Sequence, residues 1–123
     1  DELIDKLTIL RLKSEKITDA VKLANVRHEM GVLQKTADEA IEMSAELRRL
    51  WDALYDINAD LWVIEDDIRA FESRVDFGSG FVALARAVYV TNDERARIKK
   101  EINLLLGSQI VEEKSYFDFG GKA

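Results

Sequence analysis

The chain has 123 residues, enough for one domain with a modest core, and a formal net charge of −6. An acidic protein repels phosphate backbones, so we expect no nucleic-acid partner, and the absence of cysteine excludes disulfides and thiolate metal sites. No apolar run approaches the ~20 residues that a membrane span requires, so we expect no membrane partner. The absence of cysteine fits a reducing compartment, and we expect a cytoplasmic protein.

The first predicted helix covers residues 1–17. Apolar residues recur there at three- and four-residue spacing, namely at Leu3, Leu7, Leu10 and Ile17. Glu2 and Asp5 suit the positive N-terminal end of the helix dipole. Thr18 and Asp19 then indicate a turn and a restart, because either side chain can cap exposed backbone N–H groups.

The apolar pattern that follows contains no proline and runs from Ala20 to Val75. It alternates three- and four-residue steps, with one slip, in the manner of a coiled-coil seam. High helix propensity and the unbroken phase favour one helix over about 20–75. The alternative is a break near Thr36, where Thr36 and Glu39 have capping-box spacing, because such long helices are rare in small domains.

Residues 76–80, Asp-Phe-Gly-Ser-Gly, are the clearest loop signal in the chain. A last helix is predicted from Phe81 to Leu106, and Gly107 stands where a C-cap glycine would lie. The remaining residues, 108–123, form a tail whose embedded apolar side chains are expected to dock in part.

These elements predict an all-α fold. Antiparallel long-helix hairpins, turning near residues 18 and 78, form a coiled-coil-like helical bundle that dimerisation completes. A single bundle domain is expected over residues 1–107, followed by the C-terminal tail, 108–123.

Polar residues interrupt the seam of the last predicted helix. Thr91 and Arg95 stand where the pattern requires aliphatic residues, and arginine is rarely buried without a partner. In a hairpin that turns near residue 78, two residues that are equally far from the turn in sequence lie side by side on the two helices. The polar layer predicted by this register consists of Asn58, Glu65, Asp66, Thr91, Asn92 and Arg95. Two interpretations stay open: a satisfied layer that sets helix register, or a small-ligand site with Arg95 as an anion clamp.

An aromatic stripe lies about 100° around the helix from the aliphatic seam. It contains Trp51, Tyr55 and Trp62. The combined apolar face is too wide for one neighbouring helix, and tryptophan and tyrosine are enriched at interface hot spots. We therefore expect these residues to form a bundle core or a homodimer interface.

No catalytic residue, metal site or cofactor is predicted. The single histidine excludes multi-histidine metal sites. Glu39 and Glu42 form a Glu-x-x-Glu pair upstream of Glu65, which is loosely similar to all-helical nucleotide pyrophosphatases that hold Mg²⁺ between paired acidic motifs. The second motif departs from their pattern, because Ile68 stands where an aspartate is required.

Several stretches of the chain are long and specific: ELIDKLTILRLKSEKI (2–17), KLANVRHE (22–29), LWVIEDDIR (61–69), DFG (76–78), LARAVYVTNDERARIKKEINLLLGS (84–108) and VEEKSY (111–116). Together they resemble a family of small uncharacterised bacterial all-helical proteins. The resemblance implies a domain of unknown function and carries over no catalytic residue.

From these observations we expect a protein–protein interaction or assembly module that acts as a homodimer and has an unidentified protein partner. The sequence leaves enzyme activity open and favours its absence. The alternative is a small-ligand binder or an Mg-dependent nucleotide-hydrolysing enzyme that uses the polar layer around Glu65 and Arg95.

Overall fold

Four α-helices make up the part of the chain that the structure, a computed structural model, describes. The backbone is described for residues 2–121 and the side chains for residues 2–107. The helices are α1 (Glu2–Lys16), α2 (Ala20–Ala40), α3 (Ala45–Ser73) and α4 (Ser79–Gly121). No strand occurs within residues 2–121, so the all-α prediction is confirmed. Within the same residues, no helix has an apolar stretch long enough to cross a lipid bilayer.

The first turn lies where the sequence predicts it, between α1 and α2. Asp19 has an extended backbone, and its carboxylate accepts a hydrogen bond from the backbone N–H of Lys22 at 2.9 Å. This cap satisfies one of the N–H groups that the first turn of a helix leaves without a backbone partner. The chain reverses at this point, and α2 packs against α1.

The single helix predicted over 20–75 is wrong, because the chain breaks at residues 41–44. Ile41 is extended (φ −120°, ψ 126°), and the hydroxyl oxygen of Ser44 caps α3 by accepting the N–H of Leu47 at 3.1 Å. Thr36 caps nothing, since its hydroxyl donates to the carbonyl of Val32 within α2. The length of the linker, residues 41–44, is close to the ~3.6 residues of one helical turn. The apolar repeat in the sequence therefore keeps its phase across the break.

The turn predicted near residue 78 is present between α3 and α4. The carboxylate of Asp76 accepts a hydrogen bond from the backbone N–H of Gly78 at 3.1 Å. Two residues later the helices approach closely, because a Cβ atom on Gly80 would lie 2.9 Å from the ring of Phe71. A side chain at this position would therefore displace the Phe71 ring where α4 first packs on α3.

The helix end predicted at Gly107 is wrong, because α4 continues to Gly121. Among the described residues no glycine has a positive φ, so Gly107 lacks the left-handed conformation that commonly ends helices. A Cβ atom there would meet nothing within 4 Å, so the glycine lies on an open side of the helix. Docking of the tail side chains falls outside the described residues, and a domain boundary at residue 107 stays a prediction.

The hydrophobic core lies where all four helices meet. α1 packs against α2 and α3, and α3 packs against α4. The buried core residues are Ile4 and Leu7 of α1, Ala37 of α2, Leu47, Leu50, Trp51 and Leu54 of α3, and Ile98 and Ile102 of α4.

Beyond this core, α3 and α4 continue as a two-helix hairpin that we call the arm (residues 62–92). Between Leu61 and Ile98 no described side chain is fully buried. Even the apolar residues of the arm's own seam are only half-buried, namely Ile64, Ile68, Phe71, Leu84 and Val88. Two helices can cover only one face of each other, so the arm leaves apolar surface in contact with solvent.

Replacing Leu54 with alanine tests this division between core and arm. Leu54 is fully buried, so we expect Leu54→Ala to lower the free energy of unfolding by about 2–5 kcal/mol in chemical denaturation. Val63→Ala, on the same helix but 52% exposed, is the matched control and should change it by less than about 0.5 kcal/mol. Equal losses for the two variants would contradict the placement of the core.

Candidate functional site

A buried cluster of polar side chains lies beside the core, at the base of the arm. We call it the polar cluster: Asp5 and Thr8 from α1, Asn58 from α3, and Arg95 and Lys99 from α4. Asp5, Thr8 and Asn58 are only 5%, 0% and 6% exposed. Three helices from distant parts of the sequence meet through these groups.

The amide of Asn58 links the three helices. Its nitrogen donates to the carboxylate of Asp5 at 3.1 Å and to the hydroxyl of Thr8 at 2.8 Å, and its oxygen accepts from Nε of Arg95 at 2.8 Å. The hydroxyl of Thr8 in turn donates to the backbone carbonyl of Asp5 at 2.7 Å. Both amide hydrogens of Asn58 are thereby used, which determines the orientation of the side chain.

The charges of the cluster are paired around Asp5. Its carboxylate forms an ion pair with the guanidinium of Arg95, and Nζ of Lys99 lies 3.4 Å away. Lys99 also reaches Glu2 at 2.7 Å, and this hydrogen bond and the ammonium charge lower the pKa of Glu2. The Arg95 side chain is 25% exposed against 6% for Asp5, so the cluster is closed on the α1 side and open along α4.

Every buried side-chain nitrogen and oxygen of the polar cluster has a hydrogen-bond partner. Across the described residues, no buried side-chain nitrogen or oxygen lacks a hydrogen bond. A buried carboxylate is costly unless it is paired and hydrogen-bonded, and Asp5 meets both conditions. The interior of the cluster therefore has the chemistry of a satisfied layer that sets helix register.

The open side of the cluster borders a shallow groove on α4 of about 300 Å³. The groove is lined by Asn92, Arg95, Ala96, Lys99, Lys100 and Asn103. Thr91 is half-buried, and neither Thr91 nor Asn92 takes part in the hydrogen bonds of the polar cluster. The guanidinium and ammonium groups at the groove could bind a small anion through charge-assisted hydrogen bonds.

Of the residues predicted to form the polar layer, the structure brings Asn58 and Arg95 into contact. Glu65 and Asp66 are exposed, and Asp66 pairs at 2.6 Å with an arginine of its own helix. The carboxylate partner of Arg95 is Asp5, 90 residues earlier in the chain, which the predicted polar layer did not include.

Sequence reasoning missed Asp5, Thr8 and Lys99 as members of the cluster. One signal was available, because Asp5, Thr8 and Leu12 follow the three- and four-residue spacing of an inward-facing stripe on α1. An acidic residue in the first turn of a helix is also expected from the helix dipole. The spacing of Asp5 alone therefore does not distinguish a buried carboxylate from one that only interacts with the dipole.

Much of the aromatic stripe is covered within one chain. Trp51 is 7% exposed and belongs to the core. Tyr55 donates its hydroxyl to Glu15 of α1 at 2.7 Å, which raises the pKa of the phenol, and the guanidinium of Arg11 lies 3.9 Å from its ring centroid. Trp62, at the base of the arm, is half-buried. Of the two interpretations left open for this stripe, a bundle core or a homodimer interface, Trp51 fits the bundle core, and Tyr55 contacts α1 within the same chain.

Apolar side chains are instead exposed on the arm. Val82, Tyr89 and Val90 are 52%, 71% and 65% exposed. They belong to a shallow groove of about 500 Å³ that we call the α4 outer face, lined by Phe81, Val82, Ala85, Arg86, Tyr89 and Val90. A contiguous exposed apolar surface of this kind commonly marks an interaction site.

The carboxylates considered for a magnesium site do not converge. Glu39, Glu42 and residues 65–67 are all exposed. Within the described residues, no group of three or more histidine, aspartate or glutamate side chains is arranged to hold a metal ion.

Comparison with known proteins identifies the family of this chain. A family model described as "Family of unknown function (DUF6165)" matches residues 1–119, so the chain belongs to that family. No curated protein and no solved structure matches the chain.

Removing the guanidinium of Arg95 tests the polar cluster. Arg95→Met leaves Lys99, 3.4 Å away, as the one remaining charged partner of the buried Asp5 carboxylate among the described residues. Because Lys99 still compensates part of the charge, we expect the free energy of unfolding to fall by about 2–3 kcal/mol in urea denaturation, less than the ~3–5 kcal/mol of a fully unpaired buried charge. The control is Arg97→Met, two residues along α4, where the ion pairs to Glu94 and Glu101 are exposed. That change should cost less than about 1 kcal/mol, and an equal cost at both positions would rule out a structural role for the cluster.

Proposed function

We propose that this member of a family of unknown function is a protein–protein interaction and assembly module that acts as a homo-oligomer. The four-helix core is the base, and the arm presents the binding surface. The observation that carries the proposal is the composition of the first half of α4, which is almost uncharged and yet exposed.

From Ser79 to Asn92, Arg86 is the only charged residue. A helix that is apolar around its whole circumference is normally buried on every side. In the arm, α3 covers one side of this segment, while Tyr89 and Val90 on other sides remain more than half exposed. Binding another protein here would remove apolar surface from water, at about 25 cal/mol per Å².

The polar cluster supports the same proposal because it anchors the arm. Asn58 lies just before the arm begins on α3, and Arg95 lies just after it ends on α4. Both are bonded to Asp5 of α1, so each leg of the arm is held to the core at its base. A surface that is already ordered loses less conformational freedom when it binds.

The groove beside the polar cluster supports a second candidate function, the binding of a small anionic ligand. Arg95, Lys99 and Lys100 border this groove, and Arg95 uses only part of its hydrogen-bonding capacity on Asn58 and Asp5. No carboxylate set that could hold Mg²⁺ is found among the described residues, so this candidate is a binding function without an assigned reaction.

Self-association of the full chain tests the main proposal. We expect sedimentation velocity to show a species of about twice the 14.0 kDa chain mass at micromolar concentration. Tyr89→Glu places a charge on the exposed surface and should weaken association about tenfold or more, with helicity unchanged in circular dichroism. Val21→Glu, 72% exposed on α2, is the matched control and should leave it unaltered. A wild-type chain that stays monomeric at high micromolar concentration would contradict the proposal.

Thermal-shift measurements with phosphate and with ATP, each with and without Mg²⁺, test the second candidate. A ligand at about 100 times its dissociation constant stabilises the folded state by about 2.7 kcal/mol, which raises Tm measurably. Lys100→Gln, at the exposed edge of the groove, should reduce the shift. No shift for any of these anions would eliminate this candidate.

A further inference from the structure

We infer that the α4 outer face binds a second copy of this chain in antiparallel orientation, with Arg86 of each copy paired to Asp93 of the other. This inference rests on the proposed function and identifies the partner and the geometry of the interface. Tyr89 lies at the centre of the contact, Ala85 and Val82 extend it along α4, and the two-fold axis passes between Tyr89 and Val90.

A second heptad-like stripe on α4 carries the argument. Its members follow alternating steps of three and four residues: Val82, Ala85, Tyr89, Asn92 and Ala96. At ~100° per residue it lies about 120° around the helix from the seam formed by Leu84, Val88, Thr91, Ile98 and Ile102. The first seam is half-buried or buried in the chain, and every member of the second is exposed. The helix therefore carries two coiled-coil seams, of which one is occupied.

The charges beside the second stripe specify which partner fits. Arg86 and Asp93 flank it, and neither forms an ion pair within the part of the chain that the structure describes. They are seven residues apart, about 10 Å along the helix, which is too far for them to pair with each other. In an antiparallel copy, residues at equal distances on either side of Tyr89–Val90 come level. Arg86 then meets Asp93 of the second copy, and the pair occurs twice.

A parallel copy would place Arg86 beside Arg86 and Asp93 beside Asp93, which is repulsive. An anionic membrane surface is also disfavoured, because Glu65, Asp66 and Asp67 are exposed on the neighbouring part of α3. Antiparallel pairing of two arms buries the second stripe of each α4 against that of the other copy, on a side of α4 that α3 does not cover.

A charge-swap experiment on the full chain tests this geometry. Arg86→Glu leaves two carboxylates opposed at each contact, and Asp93→Arg leaves two guanidinium groups opposed. We expect each single variant to weaken self-association about tenfold or more in sedimentation velocity. An equimolar mixture of the two should recover association, since every contact then joins opposite charges, and native mass spectrometry should show the mixed dimer in excess. The double variant, Arg86→Glu with Asp93→Arg, should dimerise by itself for the same reason.

Two exposed residues of α2 provide the matched control. Lys35→Glu and Glu39→Lys make equivalent charge changes away from the arm and should alter association neither singly nor mixed. If the wild-type chain associates but neither the mixture nor the double variant recovers the loss, the antiparallel pairing is refuted while the proposed function stands. If the wild-type chain does not associate at all, the proposed function and this inference both fail.

Discussion

The hydrogen bonds and ion pair that join Asp5, Asn58 and Arg95 determine how the helices of this protein are aligned. A buried carboxylate is tolerated only where its partners are in place, so α1, α3 and α4 meet in the one register that supplies both Asn58 and Arg95 to Asp5. Aliphatic residues alone specify such a register weakly, because a core of suitable volume accepts many arrangements. The polar cluster thus supplies directional specificity, and the surrounding Leu and Ile side chains supply most of the apolar burial.

The same alignment explains why the molecule has an arm. Up to Leu61 on α3 and from Ile98 onward on α4, these helices share a core with α1 and α2. Between Leu61 and Ile98, only α3 and α4 are present to cover each other. Burying the arm completely would require further helices that this part of the fold does not provide. Among the described residues no buried polar side-chain atom of the polar cluster lacks a hydrogen bond, whereas the outer side of α4 retains exposed apolar groups. This contrast supports the proposal that the cluster stabilises the fold and that the arm binds a partner.

Local sequence patterns determined the helical class, the turns near residues 18 and 78, and the contact between Asn58 and Arg95. Each follows from short-range physics: apolar periodicity predicts an amphipathic helix, capping residues and glycine predict its ends, and a tight hairpin makes its two legs level at equal distances from the turn. Glu65 is exposed and lies outside the polar cluster, because α1 supplies the carboxylate through Asp5. Hairpin geometry concerns two helices, and the site is built from three.

Tertiary structure alone decided the rest. The break at residues 41–44 preserves the helical phase, so periodicity could not locate it, and the fold places it where α3 must turn back to pack against α1. Whether Gly107 ends or continues a helix depends on its backbone conformation, which glycine leaves free. The burial of Trp51 depends on contacts between segments that are far apart in the chain, and so does the ion pair between Arg95 and Asp5. Periodicity reports which side of a helix is buried, and only packing selects the neighbour that buries it.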